Sequence, residues 1–262
     1  MNNLISSIPF STGCEIIATH PCGLVAINKK AGRASHPNAK MSKNDKPPMI
    51  RAHYNLKEEC YSWEDQSQQK HKLYLINRLD SPTSGVILAS TNLEVAELAK
   101  EQFKLQNVDK VYMAIAIGKL IPSFGLWKDR ITITKKSNFV RAQKGGEKNV
   151  RIAITKYKVE TFDENSLNLS LLRLEPQTGL THQLRVQCAN HHHPILGDAT
   201  YGDFSANKRI KAKTKISRLF LHCVATSLKF TLNGEDIDFQ ATAPLPESFQ
   251  KIIRFNYNKN QK

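Results

Sequence analysis

The sequence predicts an α+β fold, with a central, mostly antiparallel mixed sheet flanked by helices and loops. Three observations support this. Segments 151–160 and 167–176 alternate apolar and polar residues with the two-residue period of half-buried strands. Asn233 and Gly234 stand between two strand-like runs, as in a tight hairpin. Segment 91–107 carries an apolar stripe with helical spacing.

The other strands follow from short apolar runs. The run 24–28 is bounded by a glycine and by charged residues, which is typical of a strand. The runs 73–76, 86–90 and 111–118 predict three more strands for the same reason. Hairpins mixed with intervening helices favour a sheet that is mostly antiparallel.

The helix predicted over 91–107 is expected to begin with a capping box, in which Thr91 is followed three residues later by Glu94. Its mostly apolar stripe predicts the face that packs on the sheet. That stripe consists of Val95, Leu98, Ala99, Gln102 and Phe103.

The chain, 1–262, is expected to form a single domain, because no repeat or low-complexity block divides it. Segment 38–72 is polar and contains Pro47 and Pro48, which interrupt regular structure. We expect it to be a surface insertion, since it lacks the apolar residues for a core of its own.

Charge and composition point to a polyanionic partner. The net charge is +15, and 40% of the residues are hydrophobic, which excludes a disordered chain. No apolar run reaches the roughly 18 residues of a membrane span. The first residues do not resemble a secretory signal, and the five scattered cysteines contain no CxxC pair. We therefore expect a cytoplasmic protein that binds nucleic acid and not a membrane.

One candidate catalytic group is Asp80, in the segment INRLDSPTSG. Arg78 precedes it by two positions, and a carboxylate beside an arginine is commonly an ion pair or a turn cap. Ser84 and Gly85 do not form a nucleophile elbow, because the glycine two residues before the serine is missing.

A second group of polar residues lies in segment 174–202. Thr181 is expected to cap a helix that carries His182, Gln183 and Arg185 near its start, where free amides suit a phosphate or a carboxylate. The three consecutive histidines 191–193 do not predict a metal site. Neighbouring side chains diverge in both helices and strands.

The third feature is the basic run 207–218, which is either a solvated face or a surface that follows RNA phosphates. Its basic residues are Lys208, Arg209, Lys211, Lys213, Lys215 and Arg218.

Together these segments resemble the RluA-like family of pseudouridine synthases along nearly the whole chain. The motifs appear in the family's order: NKKAGRASHPN, NRLDSPTSG, DKVYMAIAIG, PQTGLTHQLRVQCANHHHPILGDATYG and LHCVATSLKF. The resemblance implies an enzyme that isomerises uridine to pseudouridine in rRNA or tRNA, without cofactor or metal.

The resemblance also implies roles for individual residues. Asp80 corresponds to the catalytic aspartate, Tyr112 to the tyrosine that stacks on the target uracil, and Arg185 to the arginine that pairs with the aspartate. Arg78 is expected to contact RNA beside the flipped nucleotide. Thr83, His182, Gln183, Lys208, Arg209, Lys211, Lys213 and Lys215 are the further candidates for RNA contact.

Three positions depart from the family pattern. Asn77 replaces the usual histidine, Leu180 the usual arginine and Lys30 the usual proline. We expect no N-terminal RNA-binding module of the kind found in many relatives. We therefore expect RNA recognition by a single catalytic domain, helped by 207–218 and 38–72, and a monomeric protein.

The expected chemistry suits one carboxylate. The target base must leave its stack, at a cost of a few kcal/mol, and the carboxylate then acts either as nucleophile or as base. Hydrolysis of a glycosidic bond normally needs two carboxylates, which disfavours a base-excising glycosylase. A non-catalytic RNA-binding or RNA-folding protein on the same scaffold is the main alternative.

Overall fold

The computed structural model describes residues 5–37, 46–136, 139–144, 150–163 and 167–257. The chain forms two compact units. Unit 1 comprises residues 1–108 and 225–243, and unit 2 comprises 109–224 and 244–262. Both contain sheet and helix.

Unit 1 contains a sheet built by antiparallel pairing in the order β3-β4-β5-β6-β2-β1. The hairpin of β12 and β13 also lies mostly in this unit, and turns at Asn233 and Gly234, both with positive φ, as the sequence predicts. The strands are β1 (Glu15–Thr19), β2 (Leu24–Lys29), β3 (His53–Asn55), β4 (Cys60–Glu64), β5 (Lys70–Leu75), β6 (Ser84–Ser90), β12 (Leu221–Leu232) and β13 (Glu235–Thr242).

The core of unit 1 forms around β2 and β6, which pair along their whole length. All seven residues of β6 are buried, so its apolar run does not alternate with polar residues. Helix α1 (Leu93–Lys104) contributes the buried residues Val95, Ala96 and Ala99.

The start of α1 differs from the predicted capping box. Asn92 is the N-cap, and its side chain accepts hydrogen bonds from the amides of Glu94 and Val95. Thr91 instead donates its hydroxyl to the carbonyl of Gly23. The helix therefore begins one residue later, because asparagine is at least as good a cap as threonine.

The segment expected to be a surface insertion is in part a piece of the unit 1 sheet. Residues 46–72 supply β3, β4 and the start of β5, whereas 38–45 lie outside the described residues. Met49, Ile50 and Tyr61 are fully buried. The expectation was wrong here because a few well-placed apolar residues can pack on an existing core.

Unit 2 contains a sheet built by antiparallel pairing in the order β7-β11-β10-β8-β9. Its helices are α2 (Gln183–Asn190), α3 (Phe204–Thr214) and α4 (Glu247–Tyr257). Its strands are β7 (Val108–Ile117), β8 (Phe124–Lys136), β9 (Phe139–Lys144), β10 (Val150–Asp163) and β11 (Leu169–Pro176).

Strands β10 and β11 are buried at alternate positions, as the sequence predicts. Helix α2 packs against β8, β9 and β10, so the polar residues at its start are held by the sheet. Phe220 and Phe249 join the main apolar cluster of this unit.

All five cysteines are free thiols. Among the helices of the described ranges, none is long and apolar enough to cross a membrane.

Candidate active site

Asp80 lies in the loop that joins β5 to β6 in unit 1, and it is half-buried. The amide of Thr83 donates to the carbonyl of Asp80 at 3.0 Å, which closes a turn over Ser81 and Pro82. Asp80 is thus presented from a tight turn at the entrance of a buried strand.

A buried lysine holds this turn. Lys29, at the end of β2, is fully buried, and its ammonium donates to the carbonyls of Arg33 at 2.8 Å, Ser81 at 3.1 Å and Thr83 at 2.5 Å. A weaker contact reaches the carbonyl of Lys30 at 3.3 Å. A buried ammonium is costly unless it is well hydrogen-bonded, so these carbonyls and the lysine fix one another.

Ser35 holds the other side of the turn. Its hydroxyl donates to the carbonyl of Leu79 at 2.7 Å and accepts from the amide of Leu79 at 3.1 Å. The hydroxyl of the fully buried Tyr61 in turn donates to the carbonyl of Ser35 at 2.8 Å. The residues immediately before and after Asp80 are therefore both anchored to the core of unit 1.

Asn77, which departs from the family pattern, has a structural contact. Its side-chain oxygen accepts from the amide of Leu88 at 2.7 Å, and the amide of Ile76 donates to the carbonyl of Leu88 at 3.0 Å. Asparagine at this position thus ties the start of the Asp80 loop to β6.

Arg78 is exposed, and His36 positions it. One guanidinium nitrogen of Arg78 lies 3.0 Å from Nε2 of His36, whose Nδ1 lies 2.9 Å from the carbonyl of Pro37. Both contacts are satisfied by a neutral imidazole protonated at Nδ1. The imidazole also stacks on Tyr54, with ring centroids 5.2 Å apart and planes at 12°. This leaves the cation of Arg78 oriented at the surface.

Tyr112 lies on β7 in unit 2, opposite Leu174 of β11, and is partly buried against the apolar cluster of that unit. Lys110 precedes it on the same strand, and burial lowers the pKa of its ammonium group. Tyr112 is therefore supported by the packed apolar core of unit 2.

Arg185 lies in the first turn of α2 and forms a buried, two-point ion pair with Asp198. Nε donates to Oδ2 at 2.7 Å and Nη2 donates to Oδ1 at 2.8 Å. The two side chains are 6% and 0% exposed, so water hardly screens the pair. The parallel geometry is the strong, directional form of an arginine–carboxylate contact.

The carboxyl of Asp198 is held in its ionised form. Burial alone would raise its pKa, but the hydrogen bond and charge of Arg185 and the amides of Thr200 and Tyr201 outweigh burial and lower the pKa. These amides donate to Oδ1 at 2.8 and 3.1 Å. Asp198 therefore joins the start of α2 to the turn that follows it.

Tyr201 supports the same arginine through its ring. The guanidinium carbon of Arg185 lies 5.1 Å from the ring centroid of Tyr201, and the hydroxyl of Tyr201 lies 2.9 Å from Nδ1 of His182. A guanidinium on an aromatic face gains a cation–π attraction. Arg185 is thus locked by a carboxylate and by a ring.

Two glycines let the GDATYG turn approach its neighbours. A Cβ on Gly197, which has φ +76°, would collide with the carbonyl of Arg218, and one on Gly202 would collide with the carbonyl of Asp198. Any side chain here would displace the backbone that carries Asp198.

The beginning of α2 differs from the predicted threonine cap. His182 is the N-cap, with φ 57° in the left-handed region and no capping hydrogen bond from its side chain. The side-chain oxygen of Gln183 instead accepts from the amide of Leu180 at 3.0 Å. Thr181 is exposed. This bond ties the loop before α2 to the first residue of the helix, and the predicted cap by Thr181 is wrong.

The amide group of Gln183 is fully engaged within unit 2. Its oxygen also accepts from the hydroxyl of Thr178, and its nitrogen donates to the carbonyl of Ile154 and to the hydroxyl of Thr155. Gln183 is 4% exposed. These contacts fix the loop before α2, and Leu180 packs there against a small apolar cluster.

The three histidines 191–193 diverge. Nε2 of His191 lies 3.2 Å from both carboxylate oxygens of Asp129, whereas Nδ1 of His193 lies 3.0 Å from the carbonyl of Ile117. Within the described ranges, no group of three or more His, Cys, Asp or Glu residues is arranged to hold a metal ion.

Most of the basic run forms helix α3. Ala206 and Ile210 are its buried residues, and Asp203 caps its start. The five lysine and arginine side chains predicted to contact RNA in this run are all exposed: Lys208, Arg209, Lys211, Lys213 and Lys215.

The predicted site residues therefore fall into two groups. Arg78, Asp80 and the buried Thr83 lie in one loop of unit 1, whereas Tyr112, His182, Gln183 and Arg185 lie in unit 2.

Lys29, Asp198 and Tyr201 also support the site but were missed as such. Each lies in one of the motifs that carry the family resemblance, and this was the signal by which the sequence could have identified them. Their partners could not be read from the sequence.

Comparison with known proteins gives one consistent answer. A family model described as RNA pseudouridylate synthase matches residues 23–190. The chain is 35% identical over 213 residues to "tRNA pseudouridine synthase C" of Haemophilus ducreyi, covering 79% of this chain and 82% of that protein. It is 33% identical over 223 residues to the protein of the same name from Pasteurella multocida, covering 83% and 85%.

A relative with another substrate in its name also matches. "Ribosomal large subunit pseudouridine synthase C" of Escherichia coli is 31% identical over 189 residues, covering 70% of this chain and 56% of that protein. Among solved structures, human RNA pseudouridylate synthase domain containing 4 has a TM-score of 0.61 at 22% identity, covering 97% and 94% of the two chains. This likeness confirms the predicted α+β fold.

Proposed function

Because the chain belongs to the RNA pseudouridylate synthase family, which isomerises uridine in RNA, we propose that its substrate is a uridine of transfer RNA and that Asp80 is the catalytic group. The observation that carries the assignment of Asp80 is the clamped turn: the buried ammonium of Lys29 holds the carbonyls of Ser81 and Thr83. Catalytic groups need such fixed geometry, since small misplacements cost large factors in rate.

The reaction needs one well-placed carboxylate. The bond from the ribose to N1 of uracil breaks, the base turns, and a new bond forms to carbon 5. Asp80 acts either as the nucleophile on the sugar or as the base that takes its 2′ hydrogen. The proposed reaction uses no cofactor and no metal ion.

Tyr112 and Arg185 are proposed to act on the same nucleotide. A tyrosine supported by a packed strand can stack on a flipped base, and stacking contributes about 1–3 kcal/mol per base. Asp198 and Tyr201 hold the guanidinium of Arg185 in one orientation, so no rotamer search is needed when the RNA binds.

Exposed cations are proposed to bind the RNA backbone. Arg78 is presented at the surface by His36, and the lysines and arginine of α3 add a second basic surface. Thr83 and Gln183 are buried, so their contacts support positioning of the two loops. The proposed protein is a cytoplasmic monomer.

The choice of transfer RNA rests on the names of relatives. The proteins from Haemophilus ducreyi and Pasteurella multocida, which the chain covers over most of their length, are named for tRNA. The Escherichia coli protein named for the large ribosomal subunit is covered over 56% of its length.

The test uses RNA labelled with tritium at carbon 5 of uracil, prepared from the host without this protein and separated into transfer and ribosomal fractions. Isomerisation releases the tritium to water, and we expect release from the transfer RNA fraction alone. Release only from ribosomal RNA would overturn the proposed substrate. Free uracil without tritium release would overturn the reaction itself.

A further inference from the structure

Helix α3 forms one wall of a pocket in unit 2 with a volume of about 340 Å³. The pocket also borders the turn at Leu196 and Gly197, and the segment from Ile216 to Arg218. The basic run is therefore not a flat solvated face. Three of its basic residues, Lys208, Lys211 and Arg218, border an open concave site within the size range of small-ligand pockets.

The charge of the pocket is one-sided. Lys208, Lys211 and Arg218 line it, and its lining contains no carboxylate. Among the described residues, neither Lys208 nor Lys211 has a carboxylate within ion-pair distance; both are exposed. Such a lining favours an anion.

Arg218 is a fixed cation. Its Nε donates to the carbonyl of Leu219 at 2.9 Å, and its guanidinium carbon lies 5.2 Å from the ring centroid of Phe249. Burial lowers the pKa of Arg218 to about 10, which leaves it protonated at neutral pH. A partly buried arginine held in this way is pre-organised for a phosphate.

The pocket also offers an aromatic surface. Phe204, the first residue of α3, is 64% exposed. Leu196, Ile210 and Ile216 supply further apolar lining. An exposed ring beside a cluster of cations matches a ligand that is aromatic at one end and anionic at the other, and base–aromatic stacking tolerates any base.

We propose that this pocket binds one nucleotide of the RNA substrate other than the target uridine. The base stacks on Phe204, and the adjoining phosphate is bound by Lys208, Lys211 and Arg218. The inference rests on the proposed function, since it assigns a second contact to the same RNA.

The pocket is connected to the ion pair of Arg185 and Asp198. Asn207 of α3 accepts from the amide of Gly197 at 2.7 Å and donates to the carbonyl of Asp198 at 3.1 Å. Asp198 holds Arg185. A nucleotide bound against α3 therefore stabilises the turn on which the orientation of Arg185 depends.

The test is a double-mutant cycle between the protein and the RNA. Phe204→Ala is measured against transfer RNAs in which single nucleotides are made abasic, with Phe124→Ala as control because Phe124 is 71% exposed and lies outside the pocket. All proteins carry Asp80→Asn, so binding is measured without turnover.

We expect Phe204→Ala to weaken binding by about 5- to 150-fold, the range that corresponds to one stacked base. With the RNA that is abasic at the nucleotide bound in the pocket, Phe204→Ala should cause no further loss of binding. Replacing Lys208 and Lys211 by alanine should lower the salt dependence of binding by about 0.7 per lysine in the log–log slope.

Equal binding by Phe204→Ala and Phe124→Ala, or additive losses at every abasic position, would overturn the pocket assignment. Polyglutamate of matched charge serves as a competitor. If it displaces the RNA equally well from the proteins with and without Phe204→Ala, binding depends on charge alone, which would also contradict the pocket assignment. A wild-type protein that releases no tritium from any RNA would instead overturn the proposed function, since the binding cycle needs no turnover.

Discussion

Arg185 and Asp198 form a buried ion pair in which two parallel hydrogen bonds, of 2.7 and 2.8 Å, join the first turn of α2 to the GDATYG turn. Two backbone amides also donate to the carboxylate of Asp198. The carboxylate is thus shared between a cation that has a proposed catalytic role and the loop that follows its helix. Asp198 therefore determines the orientation of Arg185, the arginine for which a catalytic role is proposed.

Asp198→Asn should be strongly destabilising. The change leaves the guanidinium of Arg185 buried without its counter-ion, and breaking such a pair from one side costs about 3–5 kcal/mol. We expect a loss of that size in the free energy of unfolding, measured by urea denaturation, and a fall in kcat. Asp238→Asn is the matched control, because its ion pair with Lys229 is exposed and should contribute little. Equal stability of the two variants would contradict the conclusion that Asp198 stabilises the buried charge of Arg185.

The same pair predicts how stability depends on pH. Arg185 and the backbone amides lower the pKa of Asp198 below its ordinary value of 3.8, in spite of burial. A group with a lowered pKa in the folded state contributes stability above its unfolded pKa and loses it as pH falls through the folded pKa.

We expect wild type and Asp198→Asn to differ by a constant free energy of unfolding above about pH 5, and by less and less below about pH 4. Urea denaturation across this range measures the difference. A difference that stays constant down to about pH 2 would show that the carboxylate is not responsible.

Lys29→Met should damage the Asp80 turn. Methionine keeps the length of the side chain but leaves the carbonyls of Arg33, Ser81 and Thr83 without their buried donor. We expect the free energy of unfolding to fall by at least about 2 kcal/mol. We also expect kcat to fall more than RNA affinity does. Lys30→Met is the control, since Lys30 is exposed. A wild-type kcat in Lys29→Met would contradict the conclusion that Lys29 holds the Asp80 turn in its active geometry.

Arg78→Ala should affect RNA binding and not folding, because Arg78 is exposed and its side chain hydrogen-bonds to His36, which is itself near the surface of the described structure. Removing one phosphate contact should weaken binding and reduce the log–log salt slope by about 0.7–0.9. Binding measured over a series of salt concentrations, with unfolding as control, tests this. An unchanged slope would mean that Arg78 does not contact phosphate.

Much of the fold could be predicted because local signals were strong. The hairpin at Asn233 and Gly234, the strand beginning at Leu24 and the alternation in β10 and β11 are all confirmed. Helix starts were harder to predict, since Thr91 and Thr181 each had a neighbour that served as the N-cap. Asparagine and threonine are both good N-caps, so a sequence pattern does not separate Asn92 from Thr91, whereas His182 makes no capping hydrogen bond that a pattern could reveal.

The family and its reaction could be predicted from five ordered motifs, and the matching family model confirms that prediction. The contacts that hold the site residues in place could not be predicted from the sequence. Lys29 and Ser81 are 52 residues apart, and nothing in either motif shows that the lysine is buried beneath the other's turn. The roles of Asp80, Tyr112 and Arg185, and of the single catalytic domain, stay predictions.

The most direct test of the account compares wild type with Asp80→Asn for tritium release from RNA labelled at carbon 5 of uracil, with RNA binding measured on both. Asparagine keeps the size of the side chain but is neither a base nor a nucleophile of comparable strength. We expect release by the wild type, none by Asp80→Asn, and equal RNA affinity. Undiminished release by Asp80→Asn would contradict the assignment of Asp80 as the catalytic group.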